Sequence, residues 1–497
     1  MSAPTTIAPA QPETTAETAS PKRRSKASVG AFWSIAGYGG TNSIRLISNL
    51  TLTRLLFPEH FGMMALVTVF MSGLQMFSDI GVGPNIVQSE RGDDPRFLNT
   101  AWTMQVMRGF VLWMIACAGA APFAAFYDEP LLAVIIPISG FTAFLAGLNS
   151  TKLYTQLRTL NLKRFVSVDL ISSVVGMLVM IAWAFYERSI WALVSGGVAS
   201  CVTKLILTHT LLPGAGNRFA WDKEAARSIF RFGGWIFIST IFTFLDRQAD
   251  KLIFATMIPM GILGVYSVGA LVATFPTSAL GYLNHNVLFP LYSGAQQRGE
   301  AVAPIFARAR FSVLLVAGWA LSGFVAGGQI VIDLAWDDTY AGAGWIVQLL
   351  SIGAWFSIME HSNGTAFLAR GQANMLALAN AGKVIAMIVL IPIGFALAEF
   401  PGAVVAYAIT EIFKYAISAI TIARAGLSGW RRDFCLTCML AFAAVLATLA
   451  GELARGASGY TIVGAIAVFI VATAAWAPLA FVWKSRLDRA GKSFFGD

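Results

Sequence analysis

Arg45 stands near the middle of an otherwise apolar stretch, with Tyr38, Asn42 and Asn49 spaced along the same helical face. A charge at bilayer depth costs about 2.5–3.5 kcal/mol on insertion scales, so it needs a partner or a watery cavity. This stripe therefore belongs in one of two places. Against an internal cavity, Arg45 with Asn42 and Asn49 would bind an anion; against a distant carboxylate, Arg45 would be structural. A second group is Asp246, Arg247, Asp250 and Lys251, near the outer end of a later span. Asp246 and Asp250 share a face at i, i+4, as do Arg247 and Lys251, and Arg247 can reach Asp250 at i, i+3. Such a quartet suits a gate or a substrate contact, and equally a cluster that neutralises itself.

Arg108, Lys204, Lys383 and Lys414 each lie within about two to three turns of a span end, where long side chains snorkel to the interface. Lys414 has Glu411 one turn away. Arg108, with Gln105 on its face, is the best of the four as a further cavity cation. Glu360, His361 and His285 are polar insertions that could carry protons, or that simply hydrogen-bond between helices. The functional set leans cationic. Fixed cations in an aqueous cavity concentrate anions, and the fork of donors on Arg suits phosphate.

No catalytic constellation accompanies these charges. Cys435 and Cys438 form a lone C-x-x-C without a second pair or a nearby His, and read as small apolar residues rather than a metal or redox site. The chain has no Walker A sequence and no Gly-rich dinucleotide loop. No cofactor is expected, and any transport is secondary or passive.

The elements that must position these groups are membrane helices. The chain is 57% hydrophobic and 12% charged, with a mean hydropathy of +0.67. Those values lie outside the soluble globular range. An all-α integral membrane protein is expected, with about fourteen spans between Phe32 and Trp483. They begin near 32, 61, 100, 131, 166, 190, 229, 263, 311, 343, 375, 402, 434 and 460. Residues 1–27 read as a disordered tail ending in Lys22, Arg23, Arg24 and Lys26. The net charge of +9 is topological: about 25 of the 35 Lys and Arg fall on one side of the expected spans. Nucleic acid is therefore not an expected partner, and both termini are placed in the cytoplasm.

The chain repeats itself weakly. Thr53–Leu66 and Phe254–Ser267 both take a polar-bearing helix to a Pro (Pro58, Pro259), then through a Gly-containing turn into a new helix. Charges stand 13 residues before each Pro, at Arg45 and Asp246. Two parallel six-helix lobes follow as the expectation, at 28–212 and 229–425, joined by a cytoplasmic linker at 213–228. Residues 426–483 add two further helices and 484–497 form a cytoplasmic tail. The connection Lys152–Phe165 has the apolar spacing of an amphipathic interfacial helix, and also suits an ordinary basic linker.

At Phe77–Glu90 (FSDIGVGPNIVQSE) the chain resembles oligosaccharide flippases of the Wzx type. These are the polysaccharide-export branch of a superfamily that also holds multidrug exporters and lipid II flippases. Phe32-Trp33-Ser34, Leu55 to Gly62, and the run from Asp250-Lys251 to Ser267 are similar to the same family. The resemblance implies a V-shaped pair of six-helix lobes working by alternating access. It implies a polyprenyl-diphosphate-linked oligosaccharide as cargo, with cavity cations meeting the diphosphate. Polysaccharide polymerase or export proteins become possible partners. Asp79, Gly81 and Asp250 match recurrent family positions, as structural or gating residues.

Two other classes compete. A cation-coupled multidrug exporter of the same superfamily would prefer acidic cavity residues, whereas the mid-span residue here is Arg45. A membrane glycosyltransferase or polymerase needs a sizeable outer loop, and the longest one here is about ten residues. The chain is thus expected not to be an enzyme.

Overall fold

The computed structural model describes residues 21–492 except 79–80, 160, 234–236, 285–287, 299–300, 425 and 428. Apolar runs too long for strands, with every backbone group bonded within its own segment, give helices throughout the described residues. The first set is α1 (Pro21–Thr53), α2 (Pro58–Phe77), α3 (Val82–Gln88), α4 (Pro95–Phe126), α5 (Leu132–Leu148), α6 (Lys152–Arg158), α7 (Leu162–Tyr186) and α8 (Trp191–Thr210). The second is α9 (Lys223–Gly233), α10 (Phe237–Phe254), α11 (Met260–Leu283), α12 (Phe289–Gln297), α13 (Val302–Ala335), α14 (Ala343–Ala369) and α15 (Ala373–Arg424). Helices α16 (Trp430–Ser458) and α17 (Thr461–Lys492) close the chain.

Among the described residues ten helices are long and apolar enough to cross a membrane, or eleven if the bent pair α5 and α6 counts as one span. That is fewer than the expected fourteen, for physical reasons. The polar residues of α1 and α10 lower their hydropathy. Helix α15 counts once, although Ala398 and Glu399 leave helical geometry inside it, Glu399 at φ 52°.

Helix α1 packs on α7, α7 on α8, α8 on α5, and α5 on α4. In the second set α10 packs on α15, and α11 on α14, which is flanked by α13 and α15. Helices α16 and α17 pair with each other and rest on α13. The two sets meet chiefly where α2 lies against α10 and α11. Pro58 opens α2 and Pro259 caps α11, so both helices of the weak repeat start at a proline, where the missing N–H costs nothing.

The crossing of α2 and α11 is close. A Cβ on Gly62 would overlap the carbonyl oxygen of Met260, and one on Gly264 would overlap that of Pro58. Only glycine allows this backbone approach. Around it Phe61 meets Tyr340 edge-on, Trp336 Nε1 donates to Asn49 Oδ1 at 3.2 Å, and Tyr127 Oη donates to Leu252 O at 3.3 Å.

Three expectations change on the helical map. Helix α1 begins at Pro21, so Lys22 to Lys26 belong to its first turns and not to the tail. Helix α6 does not lie free at an interface. Arg158 donates to the carbonyls of Ile86 and Ser89 and pairs with Asp93 at 3.1 Å, tying α6 to α3. The 213–228 stretch ends in helix α9, whose Ala225, Ala226 and Ile229 are buried against α3 and α4.

Candidate functional site: a cationic cavity between the helix sets

A cavity of about 1370 Å3 separates α1 and α7 from α10, α11, α14 and α15. Its rim carries Leu157 and Leu162 on one side and Gly281, Asn284, Leu368 and Leu376 on the other. This is the end of the bundle opposite the α2–α11 crossing. Tyr38, Thr41, Asn42 and Arg45 line it from α1. Asn42 Nδ2 donates to Tyr38 O at 2.8 Å. Arg45 is exposed to the cavity and makes no hydrogen bond or ion pair to a described residue.

The second charge group splits across its helix. Asp246 and Asp250 are buried, while Arg247 and Lys251 reach the cavity. Arg247 likewise has no ion pair among the described residues. Lys251 Nζ donates to Gln248 Oε1 at 3.0 Å. The quartet is therefore not self-neutralised. Tyr266 donates to Asp250 Oδ2 at 2.6 Å, and Asp246 finds its cations on α15.

That network replaces the expected snorkelling of Lys383 and Lys414. Each is only 2% exposed. Lys383 Nζ lies 2.6 Å from Glu411 Oε1 and 3.2 Å from Asp246 Oδ1, and donates to Asp246 O at 3.0 Å. Lys414 Nζ lies 3.1 Å from Asp246 and 3.3 Å from Glu360 Oε2. Glu411, one turn from Lys414 on the same helix, pairs with Lys383 instead. Desolvated charges persist only when paired in this way. His361, also on the cavity wall, places Nδ1 2.7 Å from Ser357 O and 3.5 Å from Glu360 Oε2. Lys204 is likewise paired, to Asp169 at 2.5 Å.

Two expected binding residues lie elsewhere. Arg108 donates to Ser78 Oγ at 3.0 Å and to Gln75 O at 2.9 Å, so it ties α4 to the C-terminus of α2 and is not on the cavity wall. Gln105 donates to Ala146 O at 3.1 Å and faces α5. Asn49, one turn beyond Arg45, is held by Trp336 near the closed end. Gly81 is buried at φ 67° and caps α3, a left-handed turn that favours glycine. Asp79 and His285 lie outside the described residues.

Sequence reasoning missed the partners Lys383 and Glu411, the Tyr266–Asp250 bond, and the polar wall of Thr243, Thr277 and Asn380. Lys383 and Glu411 lie 28 residues apart and Asp246 and Lys414 lie 168 apart, and pairing over such separations has no local signature.

The net result is a sorted cavity. Its carboxylates Asp169, Asp246 and Glu360 all have lysine partners. Arg45, Arg247 and Lys251 do not have acidic ones among the described residues. Charge offered to a guest is therefore positive.

The sequence matches the family described as "Polysaccharide biosynthesis protein" over residues 51–343. The chain belongs to this family. It is similar to the lipopolysaccharide biosynthesis protein WzxC of Escherichia coli (strain K12), at 21% identity over 87% of this chain and 88% of that one. It is also similar to the teichuronic acid biosynthesis protein TuaB of Bacillus subtilis (strain 168), at 21% identity over 61% of this chain and 62% of the relative. Among solved structures, the lipid II flippase MurJ in an inward closed conformation superposes with TM-score 0.70 at 11% identity, covering 93% of this chain and 99% of that chain. An inward-facing multidrug resistance MATE transporter gives 0.61 at 10% identity, over 80% and 95%. At these identities the structural likeness concerns the fold.

Proposed function

We propose that this family member is a flippase. It moves a polyprenyl-diphosphate-linked oligosaccharide from the cytoplasmic to the outer leaflet by alternating access, for exopolysaccharide, capsule or lipopolysaccharide synthesis. The observation that carries the reading is the pair Arg45 and Arg247. They come from different helix sets, face one cavity, and have no acidic partner among the described residues. A diphosphate between them would receive two forked donors where water is restricted.

The likeness to WzxC, a lipopolysaccharide biosynthesis protein, and to the fold of a lipid II flippase supports this cargo class. The lobes are taken as 28–212 and 229–425, with the cavity between them and both termini in the cytoplasm. The conformation described would then be inward-open, sealed outward by the Gly62–Gly264 crossing. Two negative charges moving outward gain about 2.3 kcal/mol each per 100 mV, so membrane potential alone would bias the direction. Transport that is unchanged after collapse of the potential would refute that bias.

A multidrug exporter for cationic drugs fits less well, because the cavity carboxylates are already neutralised by lysines. The deciding experiment is a leaflet-accessibility assay in liposomes with a polyprenyl-diphosphate oligosaccharide, comparing wild type with Arg45→Ala. Protein-dependent flipping that falls in a folded variant supports the site. Flipping that survives moves Arg45 to a structural role, and efflux of a cationic drug without flipping overturns the reading.

A further inference from the structure

A second cavity, of about 590 Å3, lies between the first turns of α13 and α16, away from the central one. Arg310 and Asp433 form its floor. Arg310 is 5% exposed and its Nη1 and Nη2 lie 2.5 and 2.9 Å from the Asp433 carboxylate. Tyr415 donates to Asp433 Oδ2 at 2.6 Å, so the acid is fully engaged. Arg310 Nε, in contrast, is buried with no hydrogen-bond partner among the described residues. A buried, unmet donor on a charged group is costly, and marks a place where an acceptor is wanted.

The mouth supplies more positive charge. Arg431 and Arg432 are exposed and line the cavity, and they sit on the first turn of the 29-residue helix α16. The Gly429 carbonyl accepts from the N–H groups of Arg432 and Asp433, and with no side chain at the cap the N–H groups of Trp430 and Arg431 are left to a ligand. With Asp433 neutralised by Arg310, the net charge offered is that of the two outer arginines.

The remaining walls are apolar, from Phe306, Phe311, Leu314 and Leu436. Beyond the mouth, Phe434, Phe442, Val445 and Leu449 continue an exposed apolar face along α16. A free phosphate would satisfy the donors but leave these surfaces wet. A ligand with a phosphate and hydrocarbon chains meets both demands.

We infer that the cleft between the starts of α13 and α16 binds the phosphate head group of an anionic membrane lipid, held by Arg310, Arg431 and Arg432. The lipid chains run along the exposed face of α16. This site is separate from the cargo cavity, and the inference does not depend on the flippase reading.

The test is native mass spectrometry of the purified full chain in detergent, titrated with phosphatidylglycerol or phosphatidylcholine. Wild type should retain phosphatidylglycerol with at least tenfold preference. Arg431→Gln/Arg432→Gln should cut that retention about tenfold, whereas Arg164→Gln/Arg218→Gln, which removes the same charge elsewhere, should leave it in place. Ala303→Trp, which fills the cleft and keeps every charge, should cut it as well, and covers the case in which the double variant fails to fold. Equal loss in the control pair would reduce the effect to general charge attraction and overturn the site. So would full retention in the Ala303→Trp protein. Displacement of the lipid by millimolar inorganic phosphate would overturn the lipid assignment in favour of a free anion.

Discussion

Lys414 Nζ stands 3.1 Å from both carboxylate oxygens of Asp246, joining the second half of α15 to the middle of α10 inside the membrane. Lys383 approaches the same carboxylate at 3.2 Å from the first half of α15. One aspartate thus fixes both halves of a helix that breaks at Ala398 and Glu399.

Removing that anion leaves two buried lysines with Glu360 and Glu411 alone. Breaking a buried pair by deleting one partner costs about 3–5 kcal/mol. Asp246→Asn is expected to lower the thermal unfolding midpoint clearly, measured on purified protein in detergent. A midpoint equal to wild type would show that the network does not hold α10 against α15.

Arg45 and Arg247 should behave in the opposite way. Neither has a partner to lose among the described residues, so Arg45→Gln and Arg247→Gln should leave the unfolding midpoint near wild type. A charge-assisted hydrogen bond to cargo contributes about 1.5–3 kcal/mol, so each variant should slow flipping by about 10- to 150-fold. Arg108→Gln is the internal contrast. It should destabilise by about 1–3 kcal/mol through its lost bonds to Ser78 and Gln75, with little effect on flipping per folded molecule.

The Gly62–Gly264 crossing should respond to side-chain size. In Gly62→Leu the α2–α11 contact cannot form, because even a Cβ would overlap Met260 O. The protein should shift away from the state sealed at that end. A cysteine placed at Thr243 on the cavity wall, with Cys117, Cys201, Cys435 and Cys438 replaced, should become reactive to an impermeant thiol reagent from the far side. Unchanged labelling would mean that the seal lies elsewhere.

The linker anchor has a defined pH window. Asp222 accepts from Arg91 at 3.0 Å and from the N–H groups of Glu224 and Ala225, and these contacts hold its carboxyl below the ordinary range. Asp94 is lowered first by the N–H of Arg96, which it caps, and then by Arg91. For carboxylates lowered on folding, the stabilisation is complete above their ordinary pKa and is lost as pH falls through the folded values. Hydrogen-exchange protection of 223–233, corrected for intrinsic rates, should be constant from about pH 8 to 5 and fall only below about pH 4. A loss near neutrality would exclude this anchor.

Much of the molecule was legible in the chain. Long apolar runs can only become helices in lipid, so fold class followed from composition and span length. The stripe of Tyr38, Asn42 and Arg45 pointed to a cavity, because helical spacing fixes which residues share a face. Asn49 continued that stripe, yet the structure gives it to Trp336, since a face that runs the length of α1 passes from the cavity into the closed end. Glu411 and Lys414 are neighbours on one helix, yet their partners are Lys383 and Asp246 with Glu360. Buried charges pair with whatever the packing brings nearest, and in this fold α10, α14 and α15 meet only after the chain has returned on itself. The sequence therefore determined the helices. Tertiary packing alone decided which charges neutralise one another and which, Arg45 and Arg247, are left facing the cavity.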